Sequence, residues 1–277
     1  MTEFRAPTPT GDLVGTVVGS GPEILLLHGG PGLSDYLAPL AEELRDGYTV
    51  ATYTQRGLAP SSVDGTTSVA GHVADVLAVA DHLGWERPIL GGHSWGGHLT
   101  LHVLAQHPQR WRAALVIDPL GGVGDGGMAH FDAEMGNRTP AANQARAAEL
   151  EALEEESGSL SRELHLEHLG LVWPAYFPDP AQAPPMPDLG IAEDQDHMWV
   201  DIVDSLPGLE AALAGCPVLT RFVHGEGSPM PVTASTESAA LMSRAEVDVV
   251  EGAGHFIWMD VPGAVRRSLD RLIRDAG

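Results

Sequence analysis

Gly92-His93-Ser94-Trp95-Gly96 is the stretch that decides the fold. It follows the apolar run Pro88-Ile89-Leu90 and precedes a helical pattern, so a serine flanked by glycines falls where a strand turns sharply into a helix. A turn that tight needs neighbours without Cβ atoms, and Gly92, Gly96 and Gly97 supply them. The pattern points to nucleophilic chemistry at Ser94. Alone it is a weak signal, because a chain with 33 glycines produces G-x-S-x-G by chance.

Two further segments strengthen it. His28-Gly29-Gly30-Pro31-Gly32 follows Ile24-Leu25-Leu26-Leu27, where a strand should end in a loop whose backbone N–H groups can bind an oxyanion. Gly252-Ala253-Gly254-His255 follows Val247-Asp248-Val249-Val250 and offers one histidine on a tight loop. Serine, then acid, then histidine is the chain order expected of such a site. His28 and His93 read as structural hydrogen-bonders rather than proton carriers.

Short apolar runs alternate with amphipathic segments, the pattern of a mostly parallel, doubly wound α/β sheet covered by helices on both faces. Strands are predicted near Leu13 to Val18, Glu23 to Leu27, Thr49 to Tyr53, Pro88 to Leu90, Ala113 to Ile117, Val218 to Val223 and Val247 to Val250. Val69 to Leu83 reads as a helix with one apolar face, and Gly97 to His107 as a helix whose N-terminal dipole favours negative charge beside Ser94.

Composition fits one globular enzyme. The 277 residues are 43% hydrophobic, ample for a single large core. The formal charge is −23, and all 15 basic residues are arginine. Without lysine there is no Schiff-base chemistry, no Ser-Lys dyad and no P-loop lysine. The acidic balance argues against nucleic acid or an anionic membrane as a partner. Cys216, the only cysteine, reads as a small buried hydrophobe, and no apolar leader or membrane-length run occurs, so the expectation is a cytoplasmic protein. His165 and His168 lack a third ligand at metal spacing, and no dinucleotide fingerprint follows a strand. Neither a metal nor a cofactor is expected.

Through His28-Gly29-Gly30-Pro31-Gly32 and Gly92-His93-Ser94-Trp95-Gly96-Gly97 the chain resembles the α/β-hydrolase fold family, and within it the proline iminopeptidase-like branch. Thr54-Gln55-Arg56-Gly57-Leu58-Ala59-Pro60-Ser61 resembles that branch's Asp-Gln-Arg-Gly-x-Gly-x-Ser loop, with Thr54 for the aspartate and Ala59 for the second glycine. The resemblance implies an α/β-hydrolase core over residues 1–120 and 209–277, with a helical cap inserted over 121–208. The composition changes there: a glycine-rich exit from Gly121, an acidic Ala-rich helical stretch from Ala141 to Glu156, and a prolyl segment from Pro174 to Pro187 expected on the surface. Trp173, Tyr176, Phe177, Met198 and Trp199 are candidates to line an apolar substrate pocket beneath the cap.

The family usually carries its acid in a Gly-x-x-Asp loop after the seventh strand. Here that segment reads Gly225-Glu226-Gly227-Ser228, and a serine cannot stabilise an imidazolium by charge. Some relatives take the acid from the end of the sixth strand, where Asp118 follows Leu115-Val116-Ile117. Asp118 is therefore the expected partner of His255, with Glu226 and then Asp260 as alternatives. The oxyanion donors would be the N–H groups of Gly30 and Trp95. The expected activity is hydrolysis of a small carboxylic ester, lactone or related acyl substrate through an acyl-enzyme. Iminopeptidase-type cleavage stands second, since it needs an acid for the substrate ammonium and neither Glu167 nor Glu193 can be placed from sequence. A noncatalytic ligand-binding role stands third.

Overall fold

The structure, a computed structural model, describes residues 1–62, 67–192 and 196–277. Among the described residues, eight strands form one sheet: β1 (Thr2–Thr8), β2 (Gly11–Gly19), β3 (Glu23–Leu27), β4 (Thr49–Tyr53), β5 (Ile89–His93), β6 (Ala113–Ile117), β7 (Thr220–Gly225) and β8 (Ala245–Val250). Their order is β1-β2-β4-β3-β5-β6-β7-β8. The β1–β2 and β2–β4 pairs are antiparallel and the rest parallel.

Strands β3 and β6 are apolar almost throughout, because a central parallel strand is covered on both faces. Alternation then sorts their side chains. Leu25 and Leu27 enter the core on one side with α2 (Val69–His82), α3 (Trp95–Gln106) and α8 (Val232–Leu241). Ile24 and Leu26 enter the core on the other, with α1 (Ala38–Leu44) and α10 (Ala264–Ala276). Ser68 caps α2, its hydroxyl accepting from the Gly71 N–H at 3.1 Å.

Between β6 and β7 the chain makes a helical excursion: α4 (Met128–Arg138), α5 (Ala141–Ser157), α6 (Arg162–Val172), a 3₁₀ turn at Trp173–Tyr176, another at Pro180–Gln182, and α7 (Asp196–Leu213). A short α9 (Ile257–Asp260) follows β8.

Three features differ from the sequence reading. Strand β1 carries too weak a signal to be predicted; its exposed-buried alternation rests on only two core residues, Phe4 and Ala6. Strand β5 runs on through Gly91 and Gly92, which lack the side chains that signal a strand but pair with Leu26 and Leu27 on one side and Leu115 and Val116 on the other. The prolyl segment is not simply a surface crossing: Ala175 and Phe177 are buried, and Pro187 faces the cavity described below.

Candidate active site

Ser94 sits between β5 and α3 with φ 58° and ψ −122°, a conformation that L-residues rarely adopt. The turn closes because a Cβ on Gly92 would stand 2.0 Å from the Gly96 carbonyl oxygen, and one on Gly96 would stand 2.2 Å from that of Leu27. The Ser94 N–H donates to the Ile117 carbonyl at 3.0 Å, and its carbonyl accepts from the His98 N–H as α3 begins.

Asp118 lies one residue beyond β6, also with positive φ (41°), and is fully buried. Its Oδ2 accepts from His255 Nδ1 at 2.5 Å and from the Ser228 hydroxyl at 2.5 Å; its Oδ1 accepts from the Gly225 N–H at 2.9 Å. Burial works to raise the Asp118 pKa, but His224, His255 and the Ser228 hydroxyl outweigh it and hold the carboxyl below its usual range. The aspartate is thus the ionised acceptor and His255 Nδ1 the donor. His255 Nε2 is left as the basic nitrogen, without a protein partner among the described residues. Ser94 and His255 line one cavity.

The alternatives to Asp118 lie elsewhere. Glu226 is exposed, and Asp260 accepts from the Gly254 N–H at 2.8 Å, bracing the loop before His255 rather than its ring.

Gly30 also lines the cavity, with φ 53°, while Trp95 opens α3. The backbone N–H groups of both lack a protein acceptor among the described residues. Gln55 fastens the two segments together. Its N–H donates to His28 Nε2 at 3.0 Å, its side-chain amide donates to the His28 carbonyl at 2.7 Å, and its Oε1 accepts from the Trp95 indole N–H at 2.9 Å.

His93 plays a similar bracing part. Its Nε2 faces the His255 carbonyl at 2.9 Å and must donate, which makes Nδ1 the acceptor for the Tyr36 hydroxyl at 2.7 Å; that hydroxyl in turn accepts from the Gly29 N–H at 2.8 Å. Burial and the neighbouring His255 push the His93 pKa well down, in keeping with a neutral ring in one tautomer.

The cavity encloses about 40 Å³. Of the five pocket candidates, Trp173 and Tyr176 line it. Tyr176 stacks on the His255 ring at 5.2 Å, and its carbonyl accepts from the His255 N–H at 2.9 Å. Burial, and then the charge of Asp132, raise the Tyr176 pKa to about 12, so its hydroxyl keeps its proton. The other three aromatic and thioether candidates are elsewhere. Phe177 is buried behind the wall and stacks on Phe256; Met198 packs into the core beside α3; Trp199 faces outward from α7 and is 41% exposed. On a helix, adjacent residues such as Met198 and Trp199 point about 100° apart, and sequence alone does not say which side is inward.

Ser228 and His224 are contributors that sequence reasoning missed. Ser228 occupies the position at which the Gly-x-x-Asp pattern places an acid, and the missing carboxylate is the signal the sequence offers. His224 Nδ1 lies 3.3 Å from Asp118 Oδ1, while its Nε2 meets the Met230 carbonyl at 3.0 Å.

The remaining candidates are remote. Glu167 is paired with Arg146 on the exterior, and Glu193 lies outside the described residues. His165 and His168 meet Glu154 and Glu151 across the α5–α6 pair. Among the described residues, no three histidine, cysteine or acidic side chains are arranged so that they could hold a metal ion, and no helix is long and apolar enough to cross a membrane. Cys216 is buried, which raises its thiol pKa.

Comparison with known proteins matches residues 22–262 to the α/β-hydrolase fold family. A proline iminopeptidase of Lactobacillus helveticus is 33% identical over 106 residues, 36% of each chain. The 2-hydroxymuconate semialdehyde hydrolase of a Pseudomonas strain is 27% identical over 255 residues, 90% of this chain and 84% of that protein. The first curated relatives are matched over only 30 to 40% of their own length. Among solved structures, a 2-hydroxy-6-oxo-6-phenylhexa-2,4-dienoate hydrolase from a Rhodococcus strain superposes with a TM-score of 0.72 at 22% identity, over 99% of this chain and 98% of that one, a likeness of fold alone.

Proposed function

The chain belongs to the α/β-hydrolase fold family, and we propose that it is a serine hydrolase cleaving a small carboxylic ester, lactone or related acyl substrate through an acyl-enzyme on Ser94. The observation that carries this reading is the buried Asp118–His255 hydrogen bond of 2.5 Å, with its imidazole in the same cavity as Ser94.

The Ser94 hydroxyl adds to the substrate carbonyl as His255 Nε2 takes its proton, and the ionised Asp118 stabilises the imidazolium through Nδ1. The N–H groups of Gly30 and Trp95 receive the oxyanion, with the N-terminus of α3 adding favourable potential. The tetrahedral adduct collapses, breaking the carbon–oxygen bond to the alcohol, which leaves with the proton from His255. Water then repeats the sequence on the acyl-enzyme, releasing the acid and restoring the serine hydroxyl.

In this reading residues 121–208 are a cap over the site. The Tyr176–His255 contacts support that role, as do the backbone bonds from Ser34 N–H to the Gly190 carbonyl at 2.9 Å and from Ala192 N–H to the Gly32 carbonyl at 2.7 Å. The partner is a small molecule. The single cysteine, buried and unpaired, suits a reducing cytoplasmic setting.

A second reading, an iminopeptidase-type aminopeptidase, draws on the similarity to proline iminopeptidases. Fluorophosphonate labelling of the wild type and Ser94→Ala, with turnover of p-nitrophenyl acetate against proline p-nitroanilide, tests both. Labelling confined to the wild type, with preference for the ester, is expected. Labelling that persists in Ser94→Ala rejects the nucleophile; preference for the anilide selects the peptidase.

A further inference from the structure

Resting on the serine-hydrolase reading, the geometry points to a narrower substrate class: an ester or lactone whose acyl group is uncharged and apolar. Beyond the reacting groups, the cavity wall is made by Leu33, Leu169, Pro187, Leu189, Phe256 and Met259, with aromatic rings between them. No arginine, aspartate or glutamate lines it among the described residues.

The polar atoms that do reach this wall are mostly committed. The Tyr36 hydroxyl donates to His93 and accepts from Gly29, and the Trp173 indole N–H donates to the Pro184 carbonyl at 2.8 Å. An acyl chain that carries its carbonyl to Ser94 therefore extends against hydrocarbon. A carboxylate or ammonium on that chain would lose its hydration without gaining a counter-charge, which costs far more than burying an apolar chain.

Arg138 and Asp132, which stand outside the lining, do not supply one. Arg138 is bound to Glu134 and to the carbonyls of Gly227 and Ser228. Asp132 acts on Tyr176 through space, but it is exposed and does not line the cavity. Among the described residues the cavity thus has no anchor for a substrate carboxylate, and none for the ammonium of an N-terminal residue.

The test compares p-nitrophenyl butyrate, p-nitrophenyl hemisuccinate and p-nitrophenyl 4-(trimethylammonio)butyrate, which share a leaving group and differ in the charge on the acyl chain. Fluorophosphonate labelling of Ser94 is measured in parallel. The expected result is labelling, with kcat/KM for butyrate at least about 100-fold above either charged ester. In Leu169→Arg the hemisuccinate-to-butyrate ratio should rise at least about 10-fold, because the new guanidinium supplies the missing partner. Labelling together with equal or faster turnover of a charged ester by the wild type overturns this inference alone. Absence of both labelling and ester turnover overturns the serine-hydrolase reading, and this inference falls with it.

Discussion

The Ser228 hydroxyl and His255 Nδ1 share one acceptor: each lies 2.5 Å from Oδ2 of Asp118. The side chain at 228 thus already reaches the carboxylate that orients the imidazole, although Ser228 follows β7 and Asp118 follows β6. In Asp118→Asn the amide leaves the geometry nearly intact but no longer supports the required tautomer or its charge. A loss of about 10⁴ in kcat is expected. Adding Ser228→Asp to that variant returns a carboxylate to the same neighbourhood and should recover at least about 10-fold of the loss. Steady-state kinetics on a fast ester measures both. Full activity in a folded Asp118→Asn protein would remove Asp118 from the mechanism.

Backbone strain at Ser94 leads to a prediction about stability. Its φ of 58° with ψ of −122° is costly for any residue with a Cβ, and glycine adopts it freely. Ser94→Gly should therefore abolish activity yet raise unfolding free energy by about 1 kcal/mol, while Ser94→Ala abolishes activity without that gain. Urea unfolding at neutral pH distinguishes them. Equal midpoints for the two variants would show that the turn is not strained.

Gln55 offers a test of the bracing between the two proposed oxyanion donors. Gln55→Ala leaves the Trp95 indole N–H and the His28 carbonyl without their partner, so the Gly30 and Trp95 segments can drift apart. A fall in kcat of about 10- to 100-fold with nearly unchanged KM is expected, together with slower fluorophosphonate labelling. A lower Tm with unaltered kcat would reduce Gln55 to a structural residue.

Buried neutral histidines set the acid limit of stability. Burial lowers the pKa of His72 and His98 to about 3 and that of His102 to about 4, well below the ordinary value of 6.5. His102 Nε2 and His98 Nε2 are 3.2 Å apart, a contact that needs one of them unprotonated. Between these values and 6.5 the unfolded chain binds more protons than the folded one, so stability is complete above about pH 6.5 and falls as pH drops toward 4. The slope approaches about 1.4 kcal/mol per pH unit for each histidine. Urea midpoints at pH 7, 6 and 5 should decline in that order. A flat profile over that interval would mean that these rings protonate in place.

Much of the scaffold was legible because its signals are local. The apolar runs at Glu23–Leu27 and Ala113–Ile117 and the glycine pattern around Ser94 each report a backbone state within a few residues. The expectation at Asp118 rests on a different signal, the absence of a carboxylate at Ser228, and the contact between those two side chains is invisible in the sequence because 110 residues separate them. Phe177, Met198 and Trp199 show the limit most plainly. Their apolar character was apparent, but whether each turns toward the cavity, the core or solvent depends on how the helical excursion docks. The Gly29–Tyr36–His93 bonds were equally hidden, since a tyrosine in a loop carries no mark of its distant partner.

That same line of bonds, continued from His93 to the His255 carbonyl, strings the glycine loop after β3, the serine strand and the histidine loop on a single thread. Heat or pressure that slackens any one bead would put all three out of step together, so inactivation should resemble the snapping of a cord more than the wearing away of separate parts.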